Sequence, residues 1–136
     1  MALNVPLLRQ SFALVLERQP QLTHRFYEIL FERYPQARPL FGGNASAKQE
    51  KMLAEALVAV MDHLEDASWL KDTLAGLGRK HLTYGVTPEM YGWVGDSLLA
   101  TLVEVAGDEW NPALASAWIE AYGAISSLMQ AGTKPA

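Results

Sequence analysis

Apolar residues recur along this chain every three or four positions, which is the spacing of one face of an α-helix. The first such stretch follows Asn4, a residue type that favours helix N-caps, and continues until Pro20 interrupts it. A second stretch runs from about Gln21 to Tyr34 and stops before Pro35. No segment alternates apolar and polar residues between turn residues, so the pattern contains no strand signal. It therefore predicts an all-α protein.

Further helices are predicted from their start signals. Ser46 and Gln49 form an S-x-x-Q capping box, which opens a third helix that runs to about Leu64. The three later starts share an N-cap residue, followed in two cases by a proline that the first helical turn tolerates: Asp66, Thr87-Pro88 and Asn111-Pro112. With a short segment around Phe41, the pattern predicts about six to seven helices in one domain spanning residues 1–136.

Composition narrows the classes of function. The chain has 136 residues, of which 50 % are hydrophobic, and 15 acidic residues against 11 basic ones give a net charge of −4. This mild negative charge argues against nucleic acid or an anionic membrane as a partner. The absence of cysteine excludes thiolate metal sites and covalent C-x-x-C-H haem attachment. No apolar run approaches the ~18 residues that membrane insertion needs, and no basic signal segment precedes the first helix, so we expect a cytoplasmic protein.

His81 is the residue with the clearest chemical potential. It comes one turn after an apolar series ending at Leu77, and Gly85 follows four residues later, where a left-handed glycine would close the helix. A neutral imidazole facing inward there can ligate a metal through one nitrogen while a hydrogen bond orients the other. A capped histidine at a helix end, without a ligand, fits the same stretch.

Six motifs in register then resemble one known family. The chain is similar to the globins, and most closely to bacterial single-domain haemoglobins and to the haem domain of flavohaemoglobins. The resemblance covers nearly the whole chain, with at most a small shift in the loop after Phe41. Its motifs are Phe26-Tyr27, Tyr34-Pro35, Pro39-Leu40-Phe41, Lys80-His81 with Gly85-Val86, Tyr91-Gly-Trp-Val-Gly95, and Ala117-Trp118 with Ala121-Tyr122-Gly123.

The resemblance implies a globin fold around haem b. It makes His81 the proximal ligand of the iron, Phe41 the aromatic that wedges the haem, and Tyr27 the distal tyrosine whose hydroxyl donates to a bound gas. In isolation, Phe41 and Tyr27 are also well explained as core aromatics. Further cofactor contacts are implied for Leu57, Lys80, Val86, Tyr91, Val94 and Leu98.

The distal residue depends on the alignment. Counting back from His81 without a gap makes Gln49 the distal amide and Leu53 the apolar ceiling one turn later. A slip of one residue would substitute Lys48 and Met52. We favour Gln49, because Lys48 on that face would bury a charge without a visible partner. The alternative role of Gln49 is to cap the third helix as part of the capping box.

Two other histidines, His24 and His63, compete for a second iron ligand. The expectation is that His63, beside Asp62 and Glu65, is solvated. His24 is expected to bond backbone or water.

One departure from the family concerns the proximal side. In flavohaemoglobins a tyrosine and a glutamate from the last helix polarise the proximal histidine. Tyr91 matches the tyrosine, but the glutamate position falls at or near Thr133, and no acidic residue follows Glu120. His81 is therefore expected to bond a carbonyl of its own helix or the Tyr91 hydroxyl, and to stay close to a neutral imidazole.

The function implied is reversible binding of dioxygen, and of carbon monoxide and nitric oxide, at a five-coordinate ferrous iron for storage or delivery. Nitric oxide dioxygenase is the alternative; it would need a separate reductase, since the chain shows no flavin or nicotinamide domain. A gas sensor is the least favoured interpretation, because no output domain is recognised.

Overall fold

The computed structural model describes residues 3–41 and 47–133, and these ranges are almost entirely helical. The all-α prediction is confirmed, with helix boundaries within about two residues of those expected. Ser46 of the capping box and Gly42-Gly43 lie outside the described residues. The α-helices are α1 (Val5–Arg18), α2 (Leu22–Arg33), α3 (Ala47–Asp62), α4 (Ala67–Thr83), α5 (Pro88–Ala106) and α6 (Pro112–Ala131), with 3-10 helices at Pro35–Phe41 and Gly107–Glu109.

The predicted helix starts form as local chemistry requires. The side chains of Asn4, Asp66 and Asn111 each accept a hydrogen bond from the backbone N–H three residues later, at 3.3, 3.0 and 3.0 Å. At the end of α4, Gly85 has a φ of +86°. Glycine adopts this conformation without steric cost, so Gly85 lets the chain turn away just after α4 ends at Thr83.

The helices pack in pairs that differ from their order in sequence. α4 packs mainly on α6, α2 packs on α5 and α3, and α1 lies against α5 and α6. α3 and α4 follow each other in the chain, yet within the described residues they share almost no close backbone contact. The helices carrying Gln49 and His81 are thus supported by different neighbours. In the described ranges no helix is both long and apolar enough to cross a bilayer.

α4 approaches α6 very closely at Gly78. A Cβ atom added there would lie 1.8 Å from the backbone oxygen of Met129. A second close approach occurs at Gly132, where an added Cβ would lie 2.2 Å from the backbone oxygen of Ala75. Backbone atoms cannot yield as a flexible side chain does, so both contacts require glycine. Because Gly78 lies one turn before His81, this packing also positions the histidine.

We expect Gly78→Ala to lower the free energy of unfolding by about 1 to 3 kcal/mol, since the methyl group forces α4 away from α6. Chemical denaturation measures the change. Gly123→Ala is the matched control: its Cβ would meet nothing within 4 Å, and alanine is the better helix former, so stability should rise by up to about 1 kcal/mol. Equal denaturation midpoints for the two variants would show that α4 can move away from α6 without loss of stability.

Candidate functional site

Tyr27 lies at the centre of an aromatic cluster on α2. The residue is only 5 % exposed. Ring centroids lie 5.1 Å away at Phe26, 6.0 Å at Phe31 and 5.3 Å at Phe41, with edge-to-face geometry for the first and last. Because the 3-10 segment Pro35–Phe41 folds back onto α2, Phe41 reaches Tyr27 across the chain. The structure thus brings together two of the predicted site residues.

Gln49, near the start of α3, contacts the hydroxyl of Tyr27. Its Nε2 donates a hydrogen bond to the Tyr27 hydroxyl oxygen at 3.2 Å. Since that oxygen acts as an acceptor, the hydroxyl hydrogen remains for another partner, and no acceptor for it is seen in the described part of the chain. The pair therefore presents one buried O–H donor that is oriented by an amide.

Burial keeps this donor protonated. Desolvation raises the pKa of the Tyr27 hydroxyl above its ordinary value of about 10, an effect that the bond from Gln49 partly opposes. A nearby carboxylate, Glu50, adds to the rise. At neutral pH Tyr27 is therefore a neutral donor.

The exposure of the α3 side chains supports one alignment over the other. Gln49 and Leu53 are partly buried, whereas Lys48 is exposed and Met52 is 53 % exposed. An exposed Lys48 avoids the cost of burying a charge. The register that faces Gln49 and Leu53 inward is thus the one that the packing favours.

His81 is partly buried near the end of α4, with its ring oriented by its own helix. Its Nδ1 lies 2.8 Å from the carbonyl oxygen of Leu77. A carbonyl only accepts hydrogen bonds, so Nδ1 carries the proton and the lone pair of the neutral imidazole is on Nε2. The backbone oxygen of His81 accepts from the N–H of Val86 at 3.1 Å, which closes the turn after the helix. With its Nδ1 satisfied within the helix, the ring has Nε2 as the nitrogen that could bind a metal.

The hydroxyl of Tyr91 is buried and has no hydrogen-bond partner among the described residues. Of the two expected partners of His81, the structure therefore shows the helix carbonyl rather than this hydroxyl. Burial raises the pKa of Tyr91. Thr133, at the position expected for the glutamate, donates its hydroxyl to the carbonyl of Gln130 at 2.7 Å.

Tyr122 is a residue whose role the sequence did not indicate. Its hydroxyl donates to the backbone oxygen of Tyr91 at 2.6 Å and so ties α6 to the first turn of α5. Burial raises the pKa of this hydroxyl, which remains a donor. Its ring also fills the space left by Gly95. Both residues belong to recognised motifs, but only the crossing of α5 and α6 relates them.

The expectations for the other two histidines were wrong. His24 contacts an acidic side chain rather than the backbone: its Nδ1 lies 2.9 Å from a carboxylate oxygen of Glu50. His63 is partly buried rather than solvated, since its ring stacks on Trp69 with centroids 3.8 Å apart, and its Nδ1 contacts the carbonyl of Ala59 at 2.8 Å. Sequence neighbours suggested solvent, whereas packing between the α3 end and α4 decided otherwise.

The remaining predicted contacts belong to one apolar region, with a single exception. Tyr91 and Leu98 lie in the buried core with Tyr27, and five more residues pack against that core while staying partly exposed: Phe41, Leu53, Leu57, Val86 and Val94. The exception is Lys80, which is exposed. These partly exposed apolar side chains form a surface that a flat apolar ligand could cover.

These features fit a haem between α3 and α4. The two helices make almost no close backbone contact, His81 holds a lone pair on Nε2, and Tyr27 with Gln49 supplies a polar group from α2 and α3. The donor set is one imidazole, with no cluster of metal-ligating side chains among the described residues, which suits an iron whose equatorial ligands come from a porphyrin. The residues present thus fit the group that the resemblance implies.

A sequence model of the Globin family matches residues 24–129. The chain therefore belongs to the globin family, whose members bind haem and gases.

Its relatives include both longer and similar-sized proteins. A flavohemoprotein from Rhodopirellula baltica is 32 % identical over 127 residues, which cover 92 % of this chain and 31 % of the relative. A globin-like protein from Aquifex aeolicus is 33 % identical over 121 residues, covering 88 % and 84 % respectively. The chain thus spans about a third of the length of the flavohemoproteins that it matches.

Among solved structures, the fold is similar to that of an engineered carbene transferase, derived from a Rhodothermus marinus protein assigned as a nitric oxide dioxygenase. The TM-score is 0.81 at 28 % identity, and the match covers 95 % of this chain and 89 % of that one.

Proposed function

We propose that this globin holds haem b through His81 and reversibly binds dioxygen, with carbon monoxide and nitric oxide as further ligands, for storage or delivery. The observation that carries the proposal is the Gln49 amide donating to Tyr27, which leaves the buried Tyr27 hydrogen available to a polar ligand. Family membership and the orientation of the His81 ring support it.

Bound haem supplies a ferrous iron with one coordination position open to a diatomic gas. His81 contributes the neutral imidazole, held by its Nδ1–H bond to Leu77 so that Nε2 needs no reorientation. Leu53, Leu57 and Leu98 lie in or against the apolar core, and their aliphatic side chains would line the site and limit the access of water. The residues thus keep the position accessible to small apolar gases while excluding protic solvent.

Tyr27 distinguishes among ligands by charge. A fixed O–H donor at Tyr27 would favour dioxygen over carbon monoxide, because dioxygen held there would carry more negative charge and accept a stronger hydrogen bond. Gln49 acts mainly through Tyr27, because its amide holds the hydroxyl oxygen and thereby directs the hydrogen. The pair combines one direct donor with one positioning amide.

Absorption spectra of the purified chain test this proposal. We expect one haem per chain with a strong Soret band, a five-coordinate ferrous form and a sharp band shift on adding carbon monoxide. A chain that neither purifies with haem nor takes it up on titration would contradict the proposal. A six-coordinate ferrous form would contradict the open position specifically.

Nitric oxide dioxygenase is the second candidate, favoured by the similarity to flavohemoproteins and to the Rhodothermus marinus protein. Each turnover oxidises the iron, so an electron donor must reduce it again. Nitrate formation from nitric oxide and dioxygen should be measured with and without a separate reductase. Sustained turnover with the reductase would favour the enzyme; a single stoichiometric burst in both cases would favour storage or delivery.

The proximal side yields a prediction of its own. Because the Nδ1–H of His81 is bonded to a neutral carbonyl rather than to a carboxylate, the imidazole should remain a neutral donor to iron. Resonance Raman spectroscopy of the ferrous form should show an iron–histidine stretching frequency near that of oxygen-carrying globins. A peroxidase-like frequency would mean that a carboxylate reaches His81 in the loaded protein.

A further inference from the structure

Among the described residues, two neighbouring side-chain contacts join the start of α3 to α2. Gln49 contacts Tyr27 at 3.2 Å, and the following residue, Glu50, contacts His24 at 2.9 Å. His24 and Tyr27 are three residues apart in α2, so they share one face of that helix. The inner contact is neutral and partly buried, whereas the outer contact joins a carboxylate to a histidine that is half exposed.

A cavity of about 250 Å³ borders both contacts. His24, Tyr27 and Glu50 all line it, together with Phe31. The outer contact therefore lies beside the inner one at the edge of this opening. If Glu50 moves away from His24, the first turn of α3 loses a side-chain contact with α2, and we expect Gln49 to move with it.

The charges around His24 come from three elements. Glu28 and Glu32 lie on its own helix, Arg38 comes from the 3-10 segment, and Glu50 comes from α3; all four line the same cavity. Arg25 of α2 is ion-paired with Glu28 and Glu32 at 3.6 and 3.9 Å, and Glu104 of α5 accepts hydrogen bonds from it at 2.7 Å. Glu50, and to a smaller extent Glu28, favour the imidazolium form of His24.

We propose that His24 and Glu50 are positioning residues that hold Gln49 on Tyr27, so that the rate of dioxygen release depends on the protonation of His24. The inference rests on the proposed gas-binding function. It adds a regulation of gas release by residues that lie outside the proposed haem site and would touch neither the iron nor the gas.

The direction of the pH effect follows from the pair. The hydrogen bond to Glu50, and then its charge, raise the pKa of His24 above the ordinary value of 6.5. The charged pair is therefore intact below about pH 6.5 and is lost as the pH rises through the higher value in the folded protein. Dioxygen release should accelerate over that upper range.

Dioxygen dissociation and the infrared C–O stretching band of the carbon monoxide complex should be followed from about pH 5.5 to about pH 9. In the wild-type protein we expect release to quicken about two- to fivefold with rising pH, the size of effect that an exposed ion pair produces. The C–O band should shift at the same midpoint, because it senses the distal donor.

The test variants are His24→Gln and Glu50→Gln, which remove the ionic pair without creating a cavity. Both should release dioxygen at the fast rate at every pH and show a C–O band that no longer titrates. Glu55→Gln is the matched control: it removes a carboxylate from the same helix, at a residue paired with Lys51 on the exposed face, and should keep the wild-type profile. A wild-type profile in the test variants, or a flat profile in the wild type, would overturn the proposal.

Nuclear magnetic resonance of the full chain gives a readout that does not depend on gas binding. The Gln49 side-chain amide should titrate with the His24 imidazole in the wild type and not in Glu50→Gln. If the Gln49 amide signal does not change as His24 titrates, the proposed coupling between His24 and Gln49 is wrong, even if the protein binds gas. A missing Soret band with a titrating amide would instead defeat the proposed function and leave the positioning pair standing.

Discussion

His81→Ala should purify without a haem absorption band. The described residues place one imidazole with its Nδ1 satisfied by Leu77 and its Nε2 lone pair unused, and removing it deletes the proposed protein ligand of the iron. The apolar contacts that remain can hold a porphyrin only loosely. The Soret absorbance per mole of protein, measured after removal of free haem, should fall by at least about tenfold, which requires the loss of more than about 1.4 kcal/mol of haem-binding free energy.

Two controls separate ligation from folding. His24→Ala removes another histidine, one that pairs with Glu50 at the surface, and should retain the full band. His81→Gly supplemented with imidazole should recover haem binding, because the free base can occupy the space of the lost ring. A wild-type spectrum in His81→Ala would show that another residue binds the iron.

Tyr27→Phe should accelerate dioxygen dissociation by roughly five- to thirtyfold, as expected when a hydrogen bond worth about 1 to 2 kcal/mol is lost. The ring can stay in place, since Phe26 and Phe41 pack against it and only the hydroxyl is removed. Carbon monoxide dissociation should change much less. Flash photolysis and stopped-flow mixing measure the two rates on the same sample.

Tyr34→Phe is the matched control for this substitution. The Tyr34 hydroxyl donates to Asp96 at 2.8 Å on the exposed side of α5, and its ring stacks on Trp93. Its removal should leave both gas rates unchanged. If Tyr27→Phe alters the two gases by the same factor, Tyr27 acts by packing alone and the donor role is wrong.

Local chemistry makes much of the fold predictable from the order of residues. The cap residues Asn4, Asp66 and Asn111, and the glycine at 85, act on backbone groups within four residues of themselves, so their effects need no knowledge of the tertiary fold. The apolar period likewise marks the inward face of each helix. The sequence also favoured the alignment that faces Gln49 inward over the one that faces Lys48 inward, because burying the Lys48 charge would be costly.

Pairings between distant residues could not be predicted in this way. The partners of His24 and His63 were misjudged, because the sequence shows only the neighbours along each helix, while Glu50 lies 26 residues from His24. The same holds for Tyr122, whose bond to the Tyr91 carbonyl depends on how α5 crosses α6.

The sequence by itself determined the helices, their ends, the inward histidine and the resemblance to globins, since each depends on local propensity or on a motif in register. The tertiary structure decided that Gln49 donates to Tyr27 and that Glu50 ties His24 to the start of α3. These contacts depend on crossing angles and distances between helices, and side-chain packing sets those only when the whole core assembles.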